Sequence, residues 1–386
     1  MKIKKRISLF TCCIDDWGGS EELWAKSIPI LKDVLVTVYK SRINQQHPEF
    51  IKLKTSGVKL IELQPEISFI KKSFRKISQL ILKIATNRPL DDHAINMFYR
   101  SIKSTKPDLV IIAQGINFDG LKYAYQCIQL NIPYVIIAQK AVEFYWPYPT
   151  DRTYMKETLL KAEKIFFVSA QNQRLTEEQF GQRLPNSKIV FNPVKTTVNP
   201  IPFPSTENGY HFACVARLFI IDKGQDLLLR IMAKDKWKQR PITISLIGSG
   251  LDEQGLMEMA KLLHVRNVKF IGYQNDINAL WEKHHALLLP SRSEGLPLSM
   301  IEAMAAGRTV IVSNAGGNAE IIRDGWNGFI SESTETSFEL AMDRAWEMRD
   351  QWNEIGKQAS LYIAENFPVS PETDFANDLT QLLNER

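Results

Sequence analysis

Two glutamates and two cations offer the chemistry in this sequence. Glu294 lies in a polar loop, Ser291-Arg292-Ser293-Glu294-Gly295. Glu302 follows among the apolar residues Met300, Ile301, Ala303, Met304 and Ala305. A carboxylate ahead of a helix is favoured by the unpaired N–H groups there, so Glu294 alone reads as a cap. Glu302 is harder to place that way, because acids are seldom buried unpaired. A buried carboxylate facing a cleft can accept two hydroxyl hydrogen bonds, which is what a ribose diol offers. Upstream, Arg217 and Lys223 fall between an apolar run and a helical pattern, so both can point to one edge of a sheet. Arg grips a phosphate bidentately and Lys acts as a point charge, and together they can neutralise a departing diphosphate without a metal.

The elements that must hold these residues are legible around them. Residues 286–290 read as a buried strand ending at Pro290. Pro297 suits a first helical turn, residues 298–306 continue the helix, and Gly307 caps it. Residues 308–313 form a second buried strand that runs into Asn314-Ala315-Gly316-Gly317. Residues 210–215 and 242–248 are further strands, the second ending at a Gly248-Ser249-Gly250 turn read as cleft-lining backbone. In open α/β sheets, ligands sit at the carboxyl ends of strands against helix N-termini. Successive strand ends here deliver polar or glycine-rich loops to such an edge.

The spacing E-x7-E of Glu294 and Glu302, followed by Gly316-Gly317-Asn318-Ala319-Glu320, resembles the retaining glycosyltransferases of family 4. The resemblance extends over essentially the whole chain and is densest over residues 212–330. It implies an α/β chain of GT-B fold, two Rossmann-like, doubly wound parallel-sheet domains facing across a cleft. Residues 1–196 would bind the acceptor, residues 197–365 the nucleotide-sugar donor, and residues 366–386 would cross back onto the first domain. The activity implied is hexosyl transfer, with retention of anomeric configuration, from a UDP-, GDP- or ADP-sugar. The acceptor would be a hydroxyl on a glycan, a lipid-linked saccharide or a small molecule, with no metal and no other cofactor.

Carried over residue by residue, Arg217 and Lys223 match the family's donor-phosphate pair, in the pattern R-x5-K-G. Glu294 would hold the donor sugar's hydroxyls and Glu302 the ribose. These assignments make Arg217, Lys223 and Glu294 the catalytic group. Gly18-Gly19, Gly248, Gly295, Leu296 and Gly316-Gly317 would line the donor site, with Tyr273 in the loop beside the base. The acceptor side is not carried over: there the ends of the apolar runs at 107–113 and 133–138 themselves deliver Gln114, Asn117, Gln139 and Glu143 toward the cleft. The sequence departs from the pattern at Gln139, where many family members carry a His; its own six His lie elsewhere. A GT-B epimerase, or an inactive module that binds a glycan or nucleotide, are the alternatives. The intact donor set argues against both.

Composition sets the outer bounds. At 386 residues, 44% hydrophobic and 24% charged, the chain should form two domains of a soluble globular protein. Cys12, Cys13, Cys127 and Cys214 have no metal spacing and fit a reducing cytoplasm. The basic start, Met1 to Arg6, precedes an apolar run too short and too polar for a signal peptide, which reads better as a first strand. No run of apolar residues is long enough to span a membrane. The net charge of +5 divides unevenly: residues 1–196 hold 30 Lys and Arg against 18 Asp and Glu, and the remainder 18 against 25. The excess points either to an anionic partner, such as the inner membrane surface, or to a solvated basic face; nucleic acid is not expected. Residues 69–88 read as an amphipathic helix, Ile70, Phe74, Ile77, Ile81 and Ile84 with Lys and Arg on the other faces, which suits a core-packed helix with a wet basic face first and one lying on an anionic bilayer second.

The remaining strands are expected at residues 34–39, 107–113, 133–138 and 164–169, with a Pro-rich linker over 195–209 and a last helix over 372–386. The run Glu143-Phe144-Tyr145-Trp146-Pro147-Tyr148 suits either stacking on a sugar face or core packing. Because the chain has no D-x-D motif and its only close His pair is the adjacent His284-His285, transfer is predicted to survive EDTA. Complete loss in the chelator, restored by Mg²⁺ or Mn²⁺, would contradict the charge-neutralising role given to Arg217 and Lys223.

Overall fold

A computed structural model describes residues 4–64, 93–195 and 199–385. The helix expected over 69–88 lies outside the described residues. Strands β1 (Lys5–Thr11), β2 (Val34–Lys40), β3 (Lys59–Glu62), β4 (Leu109–Ala113), β5 (Tyr134–Ala138), β6 (Lys164–Phe167) and β7 (Ser187–Ile189) form one sheet in the order β3-β2-β1-β4-β5-β6-β7. Strands β8 (Tyr210–Val215), β9 (Ile242–Ile247), β10 (Val268–Gly272), β11 (Ala286–Leu289), β12 (Thr309–Ser313) and β13 (Phe329–Ser331) form the other, ordered β10-β9-β8-β11-β12-β13. Every pairing within both sheets is parallel.

Parallel strands covered on both faces must be apolar on both faces, which is why they read as unbroken hydrophobic runs. In β4, Leu109, Ile111 and Ala113 enter one core and Val110 and Ile112 the opposite one. In β11, Ala286 and Leu288 face one core while Leu287 and Leu289 face the other. Strand order reverses between β1 and β4, and again between β8 and β11. At such a reversal successive loops diverge and leave a crevice. The two crevices face each other across the cleft of a GT-B architecture.

β12 begins at Thr309 rather than at Arg308. The Arg308 side chain is fully buried. Its Nε donates to Trp281 O at 2.9 Å, Nη1 to Ile201 O at 2.9 Å and Nη2 to Pro202 O at 2.8 Å. Burial lowers its pKa to about 10. The guanidinium thus fastens the chain entering the second domain to that domain's interior.

The helix Pro371–Asn384 packs on the first domain. Its Phe375, Ala376, Leu379 and Leu383 join the core that contains Trp24 and Phe166. The rings of Phe166 and Phe375 meet edge to face at 4.9 Å. Lys188 Nζ donates to Asp378 Oδ2 on the same helix at 2.6 Å.

A second tie joins the domains from the other side. Glu320 follows the Gly316-Gly317 turn, and its carboxylate accepts from Ala170 N at 3.1 Å and Gln171 N at 2.6 Å. Those are the first N–H groups of the first-domain helix Ala170–Phe180, whose first turn carries no acid of its own. Among the described residues, no helix is long and apolar enough to cross a membrane.

Phe375→Ala is expected to destabilise the protein by ~3–5 kcal/mol through the cavity left beside Phe166. The denaturant midpoint should fall with little change in slope. A loss below ~1 kcal/mol would mean that the last helix is not part of the first domain's core.

Candidate active site

The cations and acids singled out from sequence converge because two loops are stitched together. Arg217 leaves β8, and the short helix Ile220–Lys223 presents Asp222 and Lys223. The backbone C=O of Asp222 accepts from Arg292 N at 2.7 Å and Ser293 N at 3.1 Å, holding this turn against the loop after β11. Lys223 Nζ therefore reaches both carboxylate oxygens of Glu294, at 2.7 and 2.8 Å. Their side chains are only 17% and 6% exposed. Sequence reading placed these two residues on separate tasks; the fold makes them one ion pair.

Arg217 is half exposed and differently occupied. Its Nη1 lies 2.6 Å from Asp15 Oδ2, on the loop after β1 in the other domain, and its Nη2 lies 3.5 Å from Asp222 Oδ2. Gln225 Nε2 donates to Arg217 O at 2.6 Å, fixing the backbone beneath it.

The helix Leu298–Ala305 carries Glu302 with its side chain buried. Glu302 Oε1 accepts from Lys195 N at 3.2 Å. Burial pushes its pKa up to about 7, against the pull of the Lys195 N–H and charge and with Glu22 adding to the rise. Lys195 Nζ lies 3.4 Å from Glu22 Oε1. Burial opposes the Lys195 charge, yet Glu22, Tyr273 and Glu302 around it outweigh that and raise its pKa. Tyr273 itself is 65% exposed, beyond the end of β10.

The glycines set how closely the walls approach. Gly295 stands against the first domain: a Cβ there would meet Gln139 O at 1.9 Å. Gly316 has φ +56°, and a Cβ on it would lie 2.3 Å from Glu294 O, so only glycine lets that turn seat against the loop of the acid. Gly317 N donates to Gly295 O at 2.7 Å. Gly317 faces Ser169 across the cleft, and half-buried Leu296 packs beside it. Gly18 and Gly19 open the helix Gly19–Ser27, with Gly19 against Leu298 of the second domain. Gly248 ends β9 with its backbone over Ala216 O.

The acceptor-side candidates divide. Gln114 donates to Asp119 O at 2.6 Å. Asn117 donates to Tyr145 O at 3.2 Å and to Gln179 Oε1 at 3.0 Å, while its own carbonyl accepts from Val142 N. Gln139 and Asn192 exchange amide hydrogen bonds at 3.2 and 2.7 Å, and Gln139 also donates to Ser20 O. These three amides are engaged in holding loops. Glu143 stands exposed at the start of an aromatic segment whose Phe144, Tyr145, Trp146 and Tyr148 are also exposed, so core packing does not account for that run. Asp15, Lys140, Lys195 and Asp222 join the site only in the fold, because a single charged residue carries no spacing signal until its partners are brought beside it. Among the described residues, no group of three or more His, Cys, Asp or Glu could hold a metal ion.

Two parallel-sheet domains, with paired acids and cations converging on their facing strand ends, define a GT-B glycosyltransferase. Residues 199–361 match the family described as glycosyl transferases group 1. An uncharacterized glycosyltransferase of Methanocaldococcus jannaschii is 25% identical, over 65% of this chain and 72% of that protein. An uncharacterized glycosyltransferase of Haemophilus influenzae is 28% identical, over 60% of this chain and 64% of its own length. Among solved structures, Anabaena Alr3699/HepE in complex with UDP superposes with a TM-score of 0.71 at 17% identity, covering 97% of this chain and all (100%) of that one.

Glu302 generates a pH signature. Its folded pKa lies above the usual carboxylate value, so folding retains its proton between about pH 4.5 and 7, and stability contributed by this group declines as pH rises through that window. Binding of a diol that needs the carboxylate should show the opposite trend, weakening as pH falls below about 7. Calorimetric titration of a free nucleotide should show this slope in the wild type and not in Glu302→Gln. An equal slope in both would remove Glu302 from the nucleotide site.

Proposed function

We propose that the enzyme transfers a sugar from a nucleotide-sugar to a hydroxyl acceptor with retention of anomeric configuration and without a metal. The observation that carries this reading is the buried Lys223–Glu294 pair with Arg217 beside it, at the mouth of the helix that holds Glu302. Residues 1–196 act as the acceptor domain, residues 197–365 as the donor domain, and residues 366–386 as the segment returning to the first. Glu302 takes the ribose diol, and Arg217 and Lys223 take the diphosphate. Glu294, aligned by Lys223, holds hydroxyls of the donor sugar. The UDP bound by the Anabaena relative makes a uridine nucleotide the first donor to try.

Glu294 has both oxygens on one ammonium, which leaves it poorly disposed to attack the anomeric carbon. That favours a front-face reaction, in which the leaving phosphate helps take the acceptor proton while Arg217, Lys223 and backbone N–H groups stabilise its charge. The exposed aromatic segment after Val142, beginning with Glu143, supplies flat apolar faces and a carboxylate on the acceptor side. Those groups suit a saccharide acceptor. The four cysteines are free, in keeping with a cytoplasmic enzyme.

Thermal stabilisation and slow hydrolysis across UDP-, GDP- and ADP-sugars test the donor reading, and the product anomer tests retention. Arg217→Ala and Lys223→Ala should each lower turnover by about 10²–10³; half-exposed Arg217 can be lost with the melting transition preserved, whereas Lys223→Ala should also lower it by leaving Glu294 unpaired. Glu294→Gln should act mainly on kcat, because contacts to a flattening sugar ring strengthen only in the transition state. Near-wild-type transfer by both cation variants, or stabilisation by no nucleotide-sugar, would end this reading.

A further inference from the structure

We propose that Lys140 is a positioning residue for the donor diphosphate. It neutralises Asp222 so that Arg217 keeps its charge for phosphate. The inference rests on the donor-site reading above. Lys140 follows β5 in the first domain, directly after the strand-end Gln139. It crosses the cleft, and its Nζ lies 2.8 Å from Asp222 Oδ2, with both side chains largely enclosed at 15% and 10% exposure. The same oxygen lies 3.5 Å from Arg217 Nη2. One carboxylate oxygen therefore serves two cations from opposite domains.

The two anions beside Arg217 are not equivalent. Asp15 is 43% exposed on the glycine-rich loop, so an arriving phosphate can take its place. Asp222 cannot leave, because its backbone is pinned by Arg292 N and Ser293 N and its neighbour Lys223 is bound to Glu294. Without a counter-charge, Asp222 would cancel Arg217 permanently and repel a diphosphate at close range. Lys140 supplies that counter-charge from the acceptor domain, so the positive field on the phosphate is complete only when the domains have met. Lys140 also faces Asp119, whose pKa burial raises to about 6 while the Ile116 N–H and Lys140 pull it down.

The test is a double-mutant cycle read by titration of UDP, GDP and ADP, of inorganic pyrophosphate, and of the matching uncharged nucleosides. Lys140→Met should weaken diphosphate and pyrophosphate binding about tenfold, as loss of one charge in a partly dry site implies, and leave nucleoside binding unchanged. Asp222→Asn should bind diphosphate at least as tightly as the wild type. The double variant should return to within about twofold of wild type, and Lys140→Arg should retain binding. Melting curves establish that each variant is folded.

A double variant as weak as Lys140→Met would overturn the inference, because Lys140 would then act on phosphate directly or on the fold. Weakening by Asp222→Asn would also overturn it, since a mere interdomain lock is broken equally from either side. So would wild-type affinity in Lys140→Met. If the wild type binds no diphosphate at all, the donor-site reading itself fails and takes this inference with it.

Discussion

The Lys223–Glu294 ion pair is the interaction on which the rest of the site depends. Each partner is nearly enclosed, and a buried charge without its partner is strongly unfavourable, by about 3–5 kcal/mol when one side is removed. The pair spans the turn after β8 and the loop after β11, which the Asp222 backbone holds in contact. Because Glu294 is fixed, Gly316 must curl over its backbone and Gly317 must bond to Gly295. The loops that converge on the cleft are thus placed by one electrostatic requirement and a series of glycine contacts that follow from it.

Much of the second domain was legible in the sequence because its signals are local. The strands β8, β9, β11 and β12 are continuous apolar runs, and the helix between β11 and β12 is marked by Pro297 and Gly307 at its ends. The edge strands were harder to see. β3 and β13 are four and three residues long and only partly buried, so neither length nor polarity distinguishes them from loop. Arg308 looked like a strand residue and is instead a buried clamp on the linker, since no pattern of neighbours encodes three backbone carbonyls arriving from elsewhere.

The site was half legible for a related reason. Glu294, Glu302, Arg217 and Lys223 are marked by spacing within one domain. Asp15 and Lys140 belong to the other domain, and their partners lie 202 and 82 residues away. Gln114, Asn117 and Gln139 sit at the ends of the strands that the apolar runs marked out. Their amides are nonetheless absorbed in supporting loops, because a strand end at a crevice must also satisfy the backbone groups around it.

The helix Ala170–Phe180 borrows its terminal negative charge from Glu320 of the opposite domain. A helix N-terminus attracts a carboxylate by only about 0.3–1 kcal/mol at an accessible site, close to thermal energy. Water can satisfy the same N–H groups in the absence of Glu320, so this contact adds little to what holds the domains together. Such a fastening favours one relative orientation of the two domains while adding little to the cost of separating them. An enzyme that must admit a substrate and discharge a product through the same opening is well served by a catch of that strength.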